Sequence, residues 1–237
     1  MPHMSTPIRR PDTFIGRTTE TGHLNRLFAS DARLIPIVGP GGTGKTRLAQ
    51  HFASTADFNE VYFCDLSEAR SVEGIVSAIA WEMDLTLAED PLCQIDDILS
   101  ARQNVLFILD NFEQVVTHGA NTLGRWLQVA PQVRFIATSR IRLNIQGEQV
   151  VHLNPLGKEE AIELLKQRAK AIQVDFCLGE SDMAVAADLV QRLDCLPLAI
   201  ELAAPWVRIL SLEQIHERLK NRFQLLKRGP TREETLR

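Results

Sequence analysis

Apolar and polar positions alternate along this chain in two distinct rhythms. Leu34-Ile35-Pro36-Ile37-Val38, Val61-Tyr62-Phe63-Cys64, Val105-Leu106-Phe107-Ile108-Leu109, Val133 to Thr138 and Gln149 to Leu153 are short runs dominated by apolar residues. Continuous apolar runs of this length suit strands covered on both faces, as in a parallel sheet. Between them lie segments of helical period. Lys45 to Thr55 puts Leu48, Ala49, Phe52 and Ala53 on one face, Val72 to Met83 is helical, Asp96 to Ala101 reads as a helix end, and a further helix carries Leu123, Trp126 and Leu127. This β-α alternation predicts a parallel five-stranded sheet with helices on both faces, a three-layer α/β/α domain.

After Pro155 the strand rhythm stops. Lys158 to Ile172 and Asp182 to Leu193 are amphipathic, Leu196 to Leu210 is strongly apolar, and Ser211 with Gln214 forms a capping box for a helix running to about Leu226. The expected organisation is a tag or linker over 1–13, a P-loop nucleotide-binding domain over 14–155, a small all-helical subdomain over 156–226 and a linker over 227–237. Met1-Pro-His-Met reads as a cloning scar.

Composition narrows the function classes. Acidic residues outnumber basic ones, 30 to 26, for a net charge of −4. That counts against direct nucleic-acid binding by this fragment, which would need basic side chains against phosphates. No run approaches the roughly 20 apolar residues that span a bilayer, so no membrane is expected. The four cysteines are scattered without a CxxC pair, and the six histidines without paired ligand spacing. Both features suit a cytoplasmic protein with reduced thiols.

Gly39-Pro40-Gly41-Gly42-Thr43-Gly44-Lys45-Thr46 satisfies the GxxxxGK[ST] pattern, follows an apolar strand and opens a helix. Glycines allow a tight turn with inward-facing N–H groups, and the helix N-terminus adds positive potential, so the loop can cradle phosphates. The nucleotide-binding set is Gly41, Gly42, Thr43, Gly44, Lys45, Thr46 and Arg47. Lys45 would reach the β- and γ-phosphates and Thr46 would ligate Mg²⁺. Asp110 ends the run Phe107-Ile108-Leu109 at the carboxyl edge of the sheet, where it would hold the same Mg²⁺ through water. Asn111 follows where many ATPases place a catalytic acid. Glu113 is the nearest remaining carboxylate, and two readings of it stay open: it polarises the attacking water beside Asp110, or it is a solvated acid at a helix start. Arg140, after the strand ending Thr138-Ser139, would place an always-charged guanidinium at the γ-phosphate, and Arg142 is the less favoured choice.

Taken in order, Phe14-Ile15-Gly16-Arg17, the phosphate loop, Leu106 to Glu113, Ala137-Thr138-Ser139-Arg140 and Cys195-Leu196-Pro197-Leu198-Ala199 resemble the STAND class of P-loop ATPases, in particular bacterial NB-ARC-type regulators. The resemblance implies a sheet order of 5-1-4-3-2. It also implies that Ile15 and Arg17 contact the adenine side of the nucleotide, that Arg140 senses the γ-phosphate, and that Pro197 packs on adenine. The glycine of the family's GxP motif is Cys195 here, a departure. By the same resemblance the chain is an ATP/ADP-dependent switch core with slow Mg²⁺-dependent hydrolysis and self-association in the ATP form, and a winged-helix domain follows the linker. The alternatives are an AAA+-like motor whose output is hydrolysis, against which Asn111 counts, and a nucleotide-binding adaptor without turnover.

Overall fold

The computed structural model describes residues 14–219. The expected tag or linker over 1–13, the linker over 227–237 and the expected last helix beyond Leu219 lie outside the described residues. The chain divides into two compact units. One runs to Gly41 and resumes over Lys45–Leu153, and the other takes Gly42–Gly44 with the chain from Asn154 onward.

The first unit is built on five parallel strands, β1 (Leu34–Val38), β2 (Glu60–Asp65), β3 (Val105–Asp110), β4 (Val133–Ser139) and β5 (Val151–His152), in the order β2-β3-β4-β1-β5. This is the 5-1-4-3-2 order. Every residue of β1 and β3 is buried. Neighbouring residues go to opposite faces: Val105, Phe107 and Leu109 join one core, and Leu106 and Ile108 join the other. The first core is covered by α3 (Val72–Glu82), α4 (Pro91–Ser100) and α5 (Arg125–Val129), and the second by α1 (Thr18–Ala29) and α2 (Lys45–Thr55). Tyr62, Phe107 and Phe135 form a row of stacked rings across three strands, with Trp126 of α5 against its end. Ser71 caps α3 by accepting from the Gly74 amide, and Asp90 caps α4 by accepting from the Cys93 amide with Pro91 at the first helical position.

Three elements depart from the sequence expectations. Helix α1 was not expected, although Leu24 and Phe28 repeat at helical spacing and are buried. The segment holding Leu123, Trp126 and Leu127 is a π-helical turn (Ala120–Gly124) leading into the five-residue α5, because the Gly124 amide bonds the Gly119 carbonyl five residues back. Strand β5 has two residues, not five: it pairs with β1 only at Ile37 and Val38.

The second unit is helical, with α6 (Lys158–Ile172), α7 (Glu180–Arg192), α8 (Pro197–Ala203) and α9 (Leu212–Arg218). The apolar stretch to Leu210 is not one helix. Pro205 has no amide to donate, so α8 stops at Ala203 and a 3₁₀ segment, Ala204–Arg208, follows. The capping box of Ser211 and Gln214 forms, with Gln214 accepting from the Ser211 amide at 3.0 Å. The Arg168 and Glu201 side chains pair at 2.9 Å between α6 and α8.

Helix α7 leads into α8 through Asp194 and Cys195, both left-handed, at φ 55° and 51°. The Asp194 and Cys195 amides donate back to the Gln191 and Val190 carbonyls, which closes the helix end. A side chain strains this backbone where glycine would not. We expect Cys195→Gly to raise stability by about 0.5–1 kcal/mol, the relief of strain exceeding the entropy of a freer unfolded chain. Thermal unfolding measures it, and a lowered midpoint contradicts the strain argument.

Candidate functional site

Strand β1 ends at Val38, and its neighbour β4 runs in register beside it, with Val38 opposite Ser139. The Gly39 amide donates to the Ser139 carbonyl at 3.2 Å, so the turn leaves the sheet only after Gly39. Gly42 and Gly44 lie at φ 80° and 90°, conformations that other residues reach only under strain, and α2 begins at Lys45. Lys45 Nζ donates to the Gly39 and Pro40 carbonyls, at 2.9 Å each, which curls its side chain over the loop. Burial pulls its ammonium below the usual lysine range, with Arg140 adding to that and Glu113 and Asp110 opposing it.

Asp110, the last residue of β3, is buried. Its Oδ1 accepts from the Thr46 hydroxyl at 2.7 Å and from the Thr138 hydroxyl at 2.5 Å. Thr138 Oγ1 in turn accepts from the Asn111 amide at 3.1 Å. Burial raises the Asp110 carboxyl above its ordinary pKa despite these two donors, and the negative Asp65 and Glu113 add to the rise. Asp65, opposite Asp110 on β2, behaves differently. Burial pushes it up, but hydrogen bonds from Ser67 and Asn111 outweigh this and hold it below the usual carboxylate range. Asn111, at φ 61°, donates its side-chain amide to Asp65 Oδ1 at 3.0 Å and to Asp110 Oδ2 at 3.4 Å.

A desolvated carboxylate beside a hydroxyl is a donor set suited to a hard divalent cation. No group of three or more His, Cys, Asp or Glu that could hold a metal gathers among the described residues. Mg²⁺ needs six oxygens and commonly takes several from phosphates and water. Thr46 and Asp110 therefore fit Mg²⁺ brought with a nucleotide rather than a cation caged by protein alone.

The other expected site residues fall as follows. Glu113 lies in a 3₁₀ turn (Phe112–Gln114), with a side chain only 15 % exposed and its Oε1 3.1 Å from Arg140 Nε. The solvated-acid reading is thereby overturned. Arg140 itself is well exposed, and its guanidinium lies against Gly41. Arg142 pairs with Glu148 instead. Arg17 is buried at φ 63° and bonds Glu20 at 2.7 Å, Ile15 is half-buried, and Phe14 stacks on His51 of α2. Thr43 is buried, while Gly42, Gly44 and Arg47 are half-buried. Pro197 stands at the first position of α8 in the second unit. Thr138 and Asp65 were not singled out from the sequence. Only strand register puts them beside Asp110, and nothing in the spacing of the chain could reveal that register.

Residues 28–145 match the AAA domain family. An uncharacterised protein of Mycobacterium tuberculosis is 30% identical over 92% of this chain, which spans 56% of that relative. A second M. tuberculosis protein, provisionally named an HTH-type transcriptional regulator, is 33% identical over 90% of the chain, which spans 25% of it. The chain thus covers about half or less of these relatives. Among solved structures, a STAND-class ATPase with a tetratricopeptide-repeat sensor from Pyrococcus horikoshii superposes with a TM-score of 0.54 at 21% identity, covering 94% of this chain and 34% of that one, which is a likeness of fold. The match to the family spans the phosphate loop, the buried central strand that precedes it and the helix that follows it, and residues 28–145 form a P-loop domain of the AAA domain family.

Proposed function

We propose that this chain is the ATP/ADP-responsive core of a bacterial signalling or transcriptional regulator. The observation that carries the reading is the convergence of the Thr46 and Thr138 hydroxyls on the buried Asp110 carboxylate at the mouth of a glycine-rich phosphate loop. Loop amides and Lys45 hold the phosphates, while Thr46 and Asp110 hold Mg²⁺. When bound, Mg²⁺ neutralises phosphate charge. Arg140 meets the terminal phosphate and so distinguishes ATP from ADP. Glu113, close by, orients water, and with Asn111 rather than an acid next to Asp110, turnover is slow. Ile15, Arg17 and Pro197 contact the base. The ADP form is the resting one, and the ATP form self-associates. The relative named as a transcriptional regulator supports placing such a core within a larger regulator, where another part of the protein would contact DNA. The nucleotide content of the purified protein tests the reading directly: copurified ADP supports a switch, and failure to bind either nucleotide removes it.

Lys45→Ala should lower affinity for both nucleotides by roughly tenfold to hundredfold or more with the fold intact, because hydrogen bonds to charged groups contribute about 1.5–3 kcal/mol each. Calorimetry on the folded variant measures it, and unchanged ADP affinity would remove the phosphate-loop assignment.

Asp110→Asn should have effects of opposite sign on stability and on metal-dependent binding. Asparagine keeps an oxygen for the two threonine hydroxyls but removes a desolvated charge. Because the folded-state pKa of Asp110 is raised, the ionised group costs stability above that pKa, and the cost fades as pH falls through it. Without ligand the variant should therefore melt higher at neutral pH, with a gap that narrows on acidification. Mg²⁺-ATP should bind it more weakly, and metal-free ADP nearly as before. A variant that melts lower at every pH contradicts the argument.

Arg140→Ala should leave ADP affinity nearly unchanged and weaken ATP by about 1.5–3 kcal/mol, one charge-assisted contact. Equal losses for ATP and ADP would place the discrimination elsewhere.

A further inference from the structure

Arg140 is not an idle guanidinium awaiting a ligand. Strands β3 and β4 are adjacent and parallel, so the turns that follow them leave the sheet at the same edge. Glu113, three residues beyond β3, and Arg140, the first residue beyond β4, meet there with Oε1 and Nε 3.1 Å apart. The two partners are unequal. The Glu113 side chain is 15 % exposed and that of Arg140 68 %. The acid is largely enclosed, and the base is open to solvent. The second oxygen of Glu113, Oε2, is buried with no hydrogen-bond partner among the described residues, so Arg140 is the pairing that Glu113 has there. From the place a Cβ would take on Gly41, Arg140 Nη2 is 3.8 Å away, which sets the guanidinium one atomic layer from the phosphate loop.

We propose that Glu113 sets the preference between ATP and ADP by holding Arg140 away from the terminal phosphate. The inference rests on the nucleotide-binding reading of the site given above. A nucleoside diphosphate makes no demand on Arg140 and leaves the ion pair closed. A nucleoside triphosphate must draw Arg140 from Glu113, so the pair's strength is subtracted from ATP affinity alone. The apparent dissociation constant for ATP is then the intrinsic one divided by the fraction of molecules with Arg140 released. Glu113 acts through Arg140 and is in this respect a positioning residue.

The test is a double-mutant cycle on the described chain, with ADP and a non-hydrolysable ATP analogue, both with Mg²⁺, titrated against Glu113→Gln, Arg140→Ala and the double variant. Removing a negative charge near phosphates strengthens binding of both nucleotides somewhat. The informative quantity is therefore the ratio of the two affinities. With Arg140 present, Glu113→Gln should raise that ratio in favour of ATP by about two- to fivefold, the range for a half-exposed ion pair. With Arg140 replaced by alanine, the same substitution should move the ratio distinctly less, leaving only the direct repulsion between Glu113 and the additional phosphate, and an equal shift in both backgrounds overturns the inference. A ratio that does not move when Arg140 is present overturns the inference while leaving the nucleotide-binding reading intact. A parent chain that binds neither nucleotide overturns both. If Glu113→Gln does not fold by circular dichroism, Glu113→Ala replaces it, and the same shift in ratio is expected.

Discussion

A buried carboxylate at the end of a central strand is the constraint around which this site is arranged. Asp110 is buried, and among the described residues two hydroxyl donors meet its Oδ1. Each donor comes from a different element, Thr46 from the first turn of α2 and Thr138 from β4, so the carboxylate ties the phosphate loop's helix to the sheet. Hydrogen bonds to a charged acceptor offset part of the desolvation cost but not all of it, and the carboxyl stays above its ordinary pKa. The remaining cost is the reason a divalent cation would be welcome there.

The charges around that centre are graded. Asp65, hydrogen-bonded by Ser67 and Asn111, is held as a stable anion. Lys45 is anchored on the carbonyls of its own loop. Glu113 and Arg140 neutralise one another at the rim. Lys45 feels the opposed fields of Glu113 and Arg140, so any ligand that draws Arg140 away also changes the field at the lysine. Electrostatic coupling among Lys45, Glu113 and Arg140 follows from their closeness.

Asn111 illustrates how a substitution at one position reshapes such a site. An acid there would put a third carboxylate against Asp65 and Asp110, and like charges at such spacing raise one another's pKa. The amide instead donates to both and occupies a left-handed backbone turn that asparagine tolerates well. The site gains an ordered pair of acids and gives up a neighbouring base. Cys195 is the reverse case, a side chain at a turn that would suit glycine better.

What the sequence by itself determined was local and periodic. Continuous apolar runs marked the buried strands, because a strand covered on both faces has no polar face to show. The glycine-rich motif announced its own turn, because the left-handed conformations at Gly42 and Gly44 need glycine. The Ser211–Gln214 box announced the start of α9 through a three-residue reach. Lys45, Thr46 and Asp110 were legible as partners because strand ends and helix starts share one edge of such a sheet. Helix α1 was also written in the spacing of Leu24 and Phe28 but was weak, since much of that helix is polar. Periodicity did not show which strand lies beside which: the order came from the family resemblance, and the residue-by-residue register came only from the tertiary structure. That register puts Thr138 and Asp65 against Asp110, and it brings Glu113, for which the sequence left two readings open, to Arg140. Pairing between strands separated by tens of residues depends on backbone hydrogen bonds that are the same for every sequence, so no residue type along the chain records them.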